Sequence, residues 1–129
     1  MIKLYHENIY MPACFAEQAM NQQKTIRKYV FSSHLWERID DLDRQHGKVT
    51  KRIILNSLDY LRENPKKPFE VETDDSLGEE TVTKYVVRVS ADEWSDISLV
   101  IRGNKVITAY INSKTDNHCT LNFDKYVQK

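Results

Sequence analysis

Two short clusters of this chain hold the side chains best suited to moving protons around a phosphate. One is Ser32-Ser33-His34-Leu35-Trp36-Glu37-Arg38. The other runs from Ile107-Thr108-Ala109-Tyr110-Ile111-Asn112 into Asp116-Asn117-His118-Cys119-Thr120-Leu121 and on to Tyr126. A histidine exchanges its proton near neutral pH, and a guanidinium grips phosphate oxygens in a two-pronged fashion. His34 with Arg38, and His118 with Thr120 and Tyr126, are therefore the candidate catalytic residues. The chemistry they could do is metal-free phosphodiester cleavage, provided that the fold brings the clusters together.

Each signal has a plainer explanation. His34 at the start of a helix can simply face water, with Arg38 paired to Asp41 or Glu37. Asp116 and Asn117 can satisfy their own backbone in a turn. Lys84, Arg88 and Arg102 lie on strands and are candidate substrate contacts, as are Thr108, Tyr110 and Asn112. Strand lysines also discourage sheet-to-sheet association, and strand tyrosines commonly cover a core. Trp36 and Trp94 are expected in the core or at its rim.

No metal or cofactor is expected. His6, His34, His46, His118, Cys14 and Cys119 lack zinc-ligand spacing, and three glycines cannot build a phosphate-cradling loop. A Cys119 nucleophile partnered by His34 is conceivable, but no spacing supports it. Two distant cysteines suggest a reducing cytoplasm rather than a disulfide framework.

The elements that must position these groups follow from pattern. The chain has 129 residues, of which 40% are hydrophobic and 29% charged, matching one domain with one core. Its apolar runs fall far short of the roughly 20 residues that span a bilayer, so no membrane partner is expected. No basic-then-apolar leader is evident. Net charge is zero, with 19 basic and 19 acidic side chains, which argues against a protein that coats nucleic acid through a general cationic excess but not against a nuclease that concentrates a few cations in one cleft. Charge is nonetheless segregated locally, acid at 40–41, 74–75 and 79–80, base at 24–28 and 48–52.

Residues 1–28 read as an N-terminal extension carrying one helix, with Pro12 in its first turn, and 24–31 as extended. Ser32 or Ser33 caps a helix whose apolar positions are Leu35, Ile39 and Leu42 and whose stop is Gly47. His34, Arg38 and Asp41 then share one polar face. A further helix starts near Thr50, buries Ile53, Ile54, Ser57, Leu58 and Leu61, and ends at Asn64-Pro65. Phe69 to Glu72 is a short strand, followed by an acidic loop over 74–80. Strands are expected over 82–90, 95–102 and 105–112, with a short one near 121–123. In the first of these, Tyr85, Val87 and Val89 oppose Val82, Lys84, Val86 and Arg88. Gly103-Asn104 forms a tight hairpin that sets Arg102 against Lys105 and Val100 against Ile107, and puts Thr108, Tyr110 and Asn112 on one face. Helices followed by strands predict an α+β fold, with N-terminal helices packed on one face of a four- to five-stranded antiparallel sheet.

The run Phe31-Ser32-Ser33-His34-Leu35-Trp36-Glu37-Arg38 resembles the F-S-x-H-x-x-x-R opening of RelE-like toxins in the barnase–EndoU–colicin–RelE class. Ile107 to Asn112 with Asp116, His118, Thr120, Leu121 and Tyr126 resembles the closing strand and tail of those domains. The likeness spans residues 29–126. It implies a ribonuclease-toxin-like core, cytoplasmic, acting on tRNA or mRNA, and neutralised by a cognate antitoxin protein. The implied reaction is attack by the RNA 2′-hydroxyl on the adjacent phosphorus, with His34 and His118 as acid and base in either order. A non-enzymatic protein-binding module (antitoxin, immunity protein or phage inhibitor) is the alternative. A DNA nuclease is weaker still, because without the 2′-hydroxyl it needs a metal site that is not evident.

Overall fold

The computed structural model describes residues 1–8, 10–46, 51–117 and 119–121. Three helices and six strands run in the order β1 (Ile2–His6), α1 (Ala13–Thr25), β2 (Val30–Phe31), α2 (Ser33–His46), α3 (Lys51–Glu63), β3 (Glu70–Asp74), β4 (Thr81–Ser90), β5 (Ser95–Arg102) and β6 (Lys105–Ser113). The expected stop at Gly47, the start at Thr50, and all of the expected last strand except Leu121 lie outside the described residues. No helix among the described residues is long and apolar enough to cross a membrane.

The fold is α+β, as the element order predicts, but the sheet is larger than expected and mixed. Its strand order is β1-β3-β4-β5-β6-β2. Every neighbour is antiparallel except β2, which runs parallel to β6 for two residues, Val30 beside Lys105 and Phe31 beside Val106. The added strands come from both ends of the early chain. In β1, Ile2, Leu4 and His6 alternate on one face and pair with Asp74, Glu72 and Glu70. A histidine in the third slot breaks the apolar rhythm, and that hides the strand from a pattern search.

Alternation divides the sheet into two faces. Val71, Tyr85, Val87, Ile97, Leu99, Ile101, Val106 and Ala109 meet Leu35, Ile39, Leu42, Ile54, Leu58 and Leu61 in one core. The helical residues are those that the spacing picks out, and burying each such side chain contributes about 1.5–3 kcal/mol. The opposite face carries His6, Glu70, Glu72, Lys84, Arg88, Ser98, Thr108, Tyr110 and Asn112. Two bulges shift the expected register. One, between Glu72 and Thr73, sets Val82 opposite Thr73 and sends it into the helix-side core instead of beside Lys84. The other, between Val100 and Ile101, places Val100 opposite Thr108 rather than Ile107. Arg102 does pair with Lys105, and Gly103 takes φ +58 in the turn between them, a value a side chain resists.

Glutamines dock α1. Gln18 and Gln22 bond the backbone of Val82 from both sides, at 3.1 and 3.2 Å. Fully buried Gln23 clamps Lys66, donating to its carbonyl at 2.8 Å and accepting its N–H at 2.9 Å. Pro12 stands just before the helix rather than within it, and its carbonyl accepts from Phe15 and Ala16. Lys24 and Thr25 close that helix instead of starting an extended run.

Ser32 is the expected cap: its Oγ accepts the Leu35 N–H at 3.0 Å and donates to the Ile107 carbonyl. Ser32→Ala removes both bonds. A lost cap of this kind costs about 1 kcal/mol, and the stranded carbonyl adds to it. Urea denaturation should show a total loss of about 1–2 kcal/mol, with Ser32→Thr retaining most of the stability.

Candidate functional site

The fold joins the first cluster to the strand of the second. β2 covers only Lys105 and Val106, so the outer edge of β6 beyond them needs other partners. α2 supplies these. Ser32 bonds the Ile107 carbonyl, and Arg38 Nε donates to the Ala109 carbonyl at 3.4 Å. The Arg38 guanidinium also lies 5.5 Å from the centroid of the Tyr110 ring, within cation–π range. Arg38 thus serves the sheet edge and an aromatic face, while Asp41 pairs with Arg44. His34 is exposed one turn before Arg38 on the same helix face.

Tyr110 begins a row across the face opposite the helices, with Tyr110 beside Ser98 and Ser98 beside Arg88. Asn112 joins this row to the chain that follows β6. Its Oδ1 accepts from Ser98 Oγ at 2.5 Å, and its Nδ2 donates to Asp116 Oδ2 at 3.1 Å. Arg88 Nη1 donates to the Asp116 carbonyl at 2.5 Å. The described residues after β6 therefore lie over the face opposite the helices, from β6 towards β3.

It is held there by Glu70. This fully buried carboxylate accepts from the Thr120 N–H, from Thr120 Oγ at 2.7 Å and from the Leu121 N–H at 2.9 Å. A charge removed from water is tolerable only with such partners. The Thr120 hydroxyl is thereby committed to Glu70 and does not donate to phosphate as expected. Its neighbour Cys119 has its thiol pushed up to about 11, by burial first and then by the Glu70 charge, which keeps it protonated and unsuited to nucleophilic attack.

Beside Glu70, His6 is buried edge-on to Phe69, with ring centroids 4.3 Å apart, and its Nδ1 accepts the Asn8 N–H at 3.0 Å. Burial lowers its proton affinity. Arg88 acts in the same direction, while Glu70, Glu7 and the Asn117 backbone oppose it.

The remaining expected contacts are dispersed. Lys84 pairs with Glu72 at 3.2 Å, four residues and roughly 13 Å along β4 from Arg88. Arg102 is exposed at the hairpin end, beside a cavity of about 680 Å³ that it shares with Ile2, Glu72 and Asp74. Thr108 is buried, and its hydroxyl finds no hydrogen-bond partner among the described residues. Trp94 is 74% exposed rather than part of the core. His118 and Tyr126 lie outside the described residues. Thr120, held on β3, is three strand spacings (about 14 Å) from β6, and on the face away from the core that receives α2. Among the described residues no three His, Cys, Asp or Glu side chains gather as metal ligands.

Sequence reasoning missed His6 and Glu70. The available signal was an acidic residue set between the apolar Phe69 and Val71. Comparison with family models, curated proteins and solved structures gives no match to this chain.

The His6 environment sets a pH dependence. In the unfolded chain its imidazole takes up a proton near the ordinary value of 6.5, whereas the native site resists it. Below about pH 6.5 the unfolded state therefore binds more protons, and stability falls until the lower native value is passed. Urea midpoints should drop between pH 7.5 and 5, and His6→Gln should flatten that part of the profile. An unchanged slope in the variant would assign the drop to other groups.

Proposed function

We propose that the protein is a metal-independent endoribonuclease of the toxin kind, as its likeness to the barnase–EndoU–colicin–RelE class implies. The observation that carries this reading is the seating of Arg38 on Tyr110, one helical turn from exposed His34. An imidazole, a guanidinium and an aromatic ring then line one surface where α2 meets β6. A phosphodiester lying there meets a proton carrier and a fixed cation, and its base finds a ring to stack on.

In this mechanism the RNA 2′-hydroxyl attacks the adjacent phosphorus. One of His34 and His118 removes the hydroxyl proton and the other protonates the departing 5′-oxygen, which requires the segment that holds Thr120 at Glu70, three strand spacings from β6, to leave that place. The products are a 2′,3′-cyclic phosphate and a free 5′-hydroxyl. Positioned proton transfer contributes about 10²–10⁴-fold. Arg38 stabilises the charge that grows on the phosphorane oxygens, with Tyr126 as a second donor. Thr120 has no part in this step, because Glu70 holds its hydroxyl.

A second reading is a protein-binding module. It is favoured by the exposed aromatic and aliphatic side chains of the helices: Trp36 on α2, and Leu55 and Tyr60 on α3. Lys51 lies 4.6 Å over the Trp36 ring and joins α3 to that surface.

Purified protein incubated with labelled tRNA and mRNA in EDTA should leave cyclic-phosphate ends. His34→Ala and His118→Ala should each lower the rate at least a hundredfold with unchanged circular dichroism. Full cleavage by both variants would end the enzymatic proposal. Growth arrest on expression without a neighbouring gene supports the toxin, and harmless expression supports the binding module.

A further inference from the structure

A second cluster of cations stands at the far end of the row that starts at Tyr110. Arg88 closes that row two strand spacings away, about 10 Å. It borders a cleft of about 400 Å³ between the 64–69 loop and the turn after β6. Lys66 and Lys67 line the cleft from one side, and Lys114 and Asn117 from the other. The facing carboxylates are Asp96 and Glu7. Asp96 is matched by Lys114 at 2.8 Å. Of the carboxylates that line the cleft, this leaves Glu7 opposite Lys66, Lys67 and Arg88.

Two of these cations, Lys66 and Arg88, are held in place. Gln23 fixes the Lys66 backbone, and Lys66 Nζ donates to the Arg88 carbonyl at 2.6 Å. The Arg88 guanidinium is stacked 3.8 Å from the Phe69 ring centroid, and its buried Nε–H has no hydrogen-bond partner among the described residues. Like charges gathered in this way repel, and an anion with several oxygens relieves the repulsion.

We propose that this cleft binds a phosphate group, and that its occupant is a backbone phosphate of the RNA strand stacked at Tyr110. The identity of that occupant rests on the ribonuclease reading; the anion site does not. Tyr110 and Arg88 lie on the same sheet face two strand spacings apart, and a strand joining them passes outside the fully buried Ser98.

The test has two probes. Inorganic phosphate added to ¹⁵N-labelled protein should shift the amides of Lys66, Lys67, Arg88 and Asn117. A single-stranded oligoribonucleotide methylated at its 2′-hydroxyls, and hence uncleavable, should bind by fluorescence anisotropy with salt-dependent affinity. Lys66→Ala/Lys67→Glu should abolish the phosphate shifts and weaken the oligonucleotide about tenfold. It should also lower the log–log salt slope by about 0.7, the value for one lost phosphate contact on a single strand. Lys67→Glu alone, at an exposed position, should act in the same direction and guards against a folding defect. Phosphate shifts that persist in the double variant, or a wild type that answers neither probe, overturn the site. Phosphate binding with oligonucleotide affinity unaltered by the variants overturns the RNA occupant. A wild type that binds through the cleft yet cuts no RNA overturns the ribonuclease reading and leaves the site standing.

Discussion

A carboxylate out of contact with water governs the face of this sheet opposite the helices. Glu70 sits on β3 with no exposed surface, and its oxygens take the Thr120 N–H, the Thr120 hydroxyl and the Leu121 N–H. Removing an ionised group from solvent costs several kcal/mol unless donors replace the lost water. The donors come from a segment some fifty residues later, so the chain after β6 must cross the sheet to reach them. Arg88 and Asn112 hold that crossing midway through Asp116. The electrostatic need of one side chain thus fixes where residues 120–121 lie, and Asp116 beside Arg88 borders the route to them.

A second constraint is the uncovered edge of β6. Parallel pairing with β2 ends after two residues, and Ser32 and Arg38 serve the carbonyls beyond it. The same contacts that close the edge aim a guanidinium at Tyr110. Structure and candidate chemistry share these residues here. A mutation of Arg38 consequently changes both the packing of α2 and the charge offered to a ligand.

The helices were legible in the sequence because their apolar positions recur cleanly. Leu35, Ile39 and Leu42, then Ile54, Leu58 and Leu61, are fully or almost fully buried as their spacing requires. The hairpin at Gly103-Asn104 and the shared face of Thr108, Tyr110 and Asn112 were equally plain. Bulges were not, since no residue type marks the extra position, and both register errors trace to them. β1 was hidden by His6, and parallel β2 is too short to carry a pattern. For the site, proximity of the 32–38 run to the 107–112 strand could be expected only from resemblance. The role of Thr120 could not be read at all, because it depends on a carboxylate fifty residues upstream.

The irregularity between Val100 and Ile101 has a bearing on how this chain can change in length. Past it, residues 108, 110 and 112 point one way and 109 and 111 the other. Deleting or inserting a single residue in the strand would drive the Tyr110 ring into the helices and push Ala109 outward. Substitution is thus the only tolerable kind of variation there. The connection around Leu77, 98% exposed, and Gly78 at φ +93 contacts little and can grow or shrink freely.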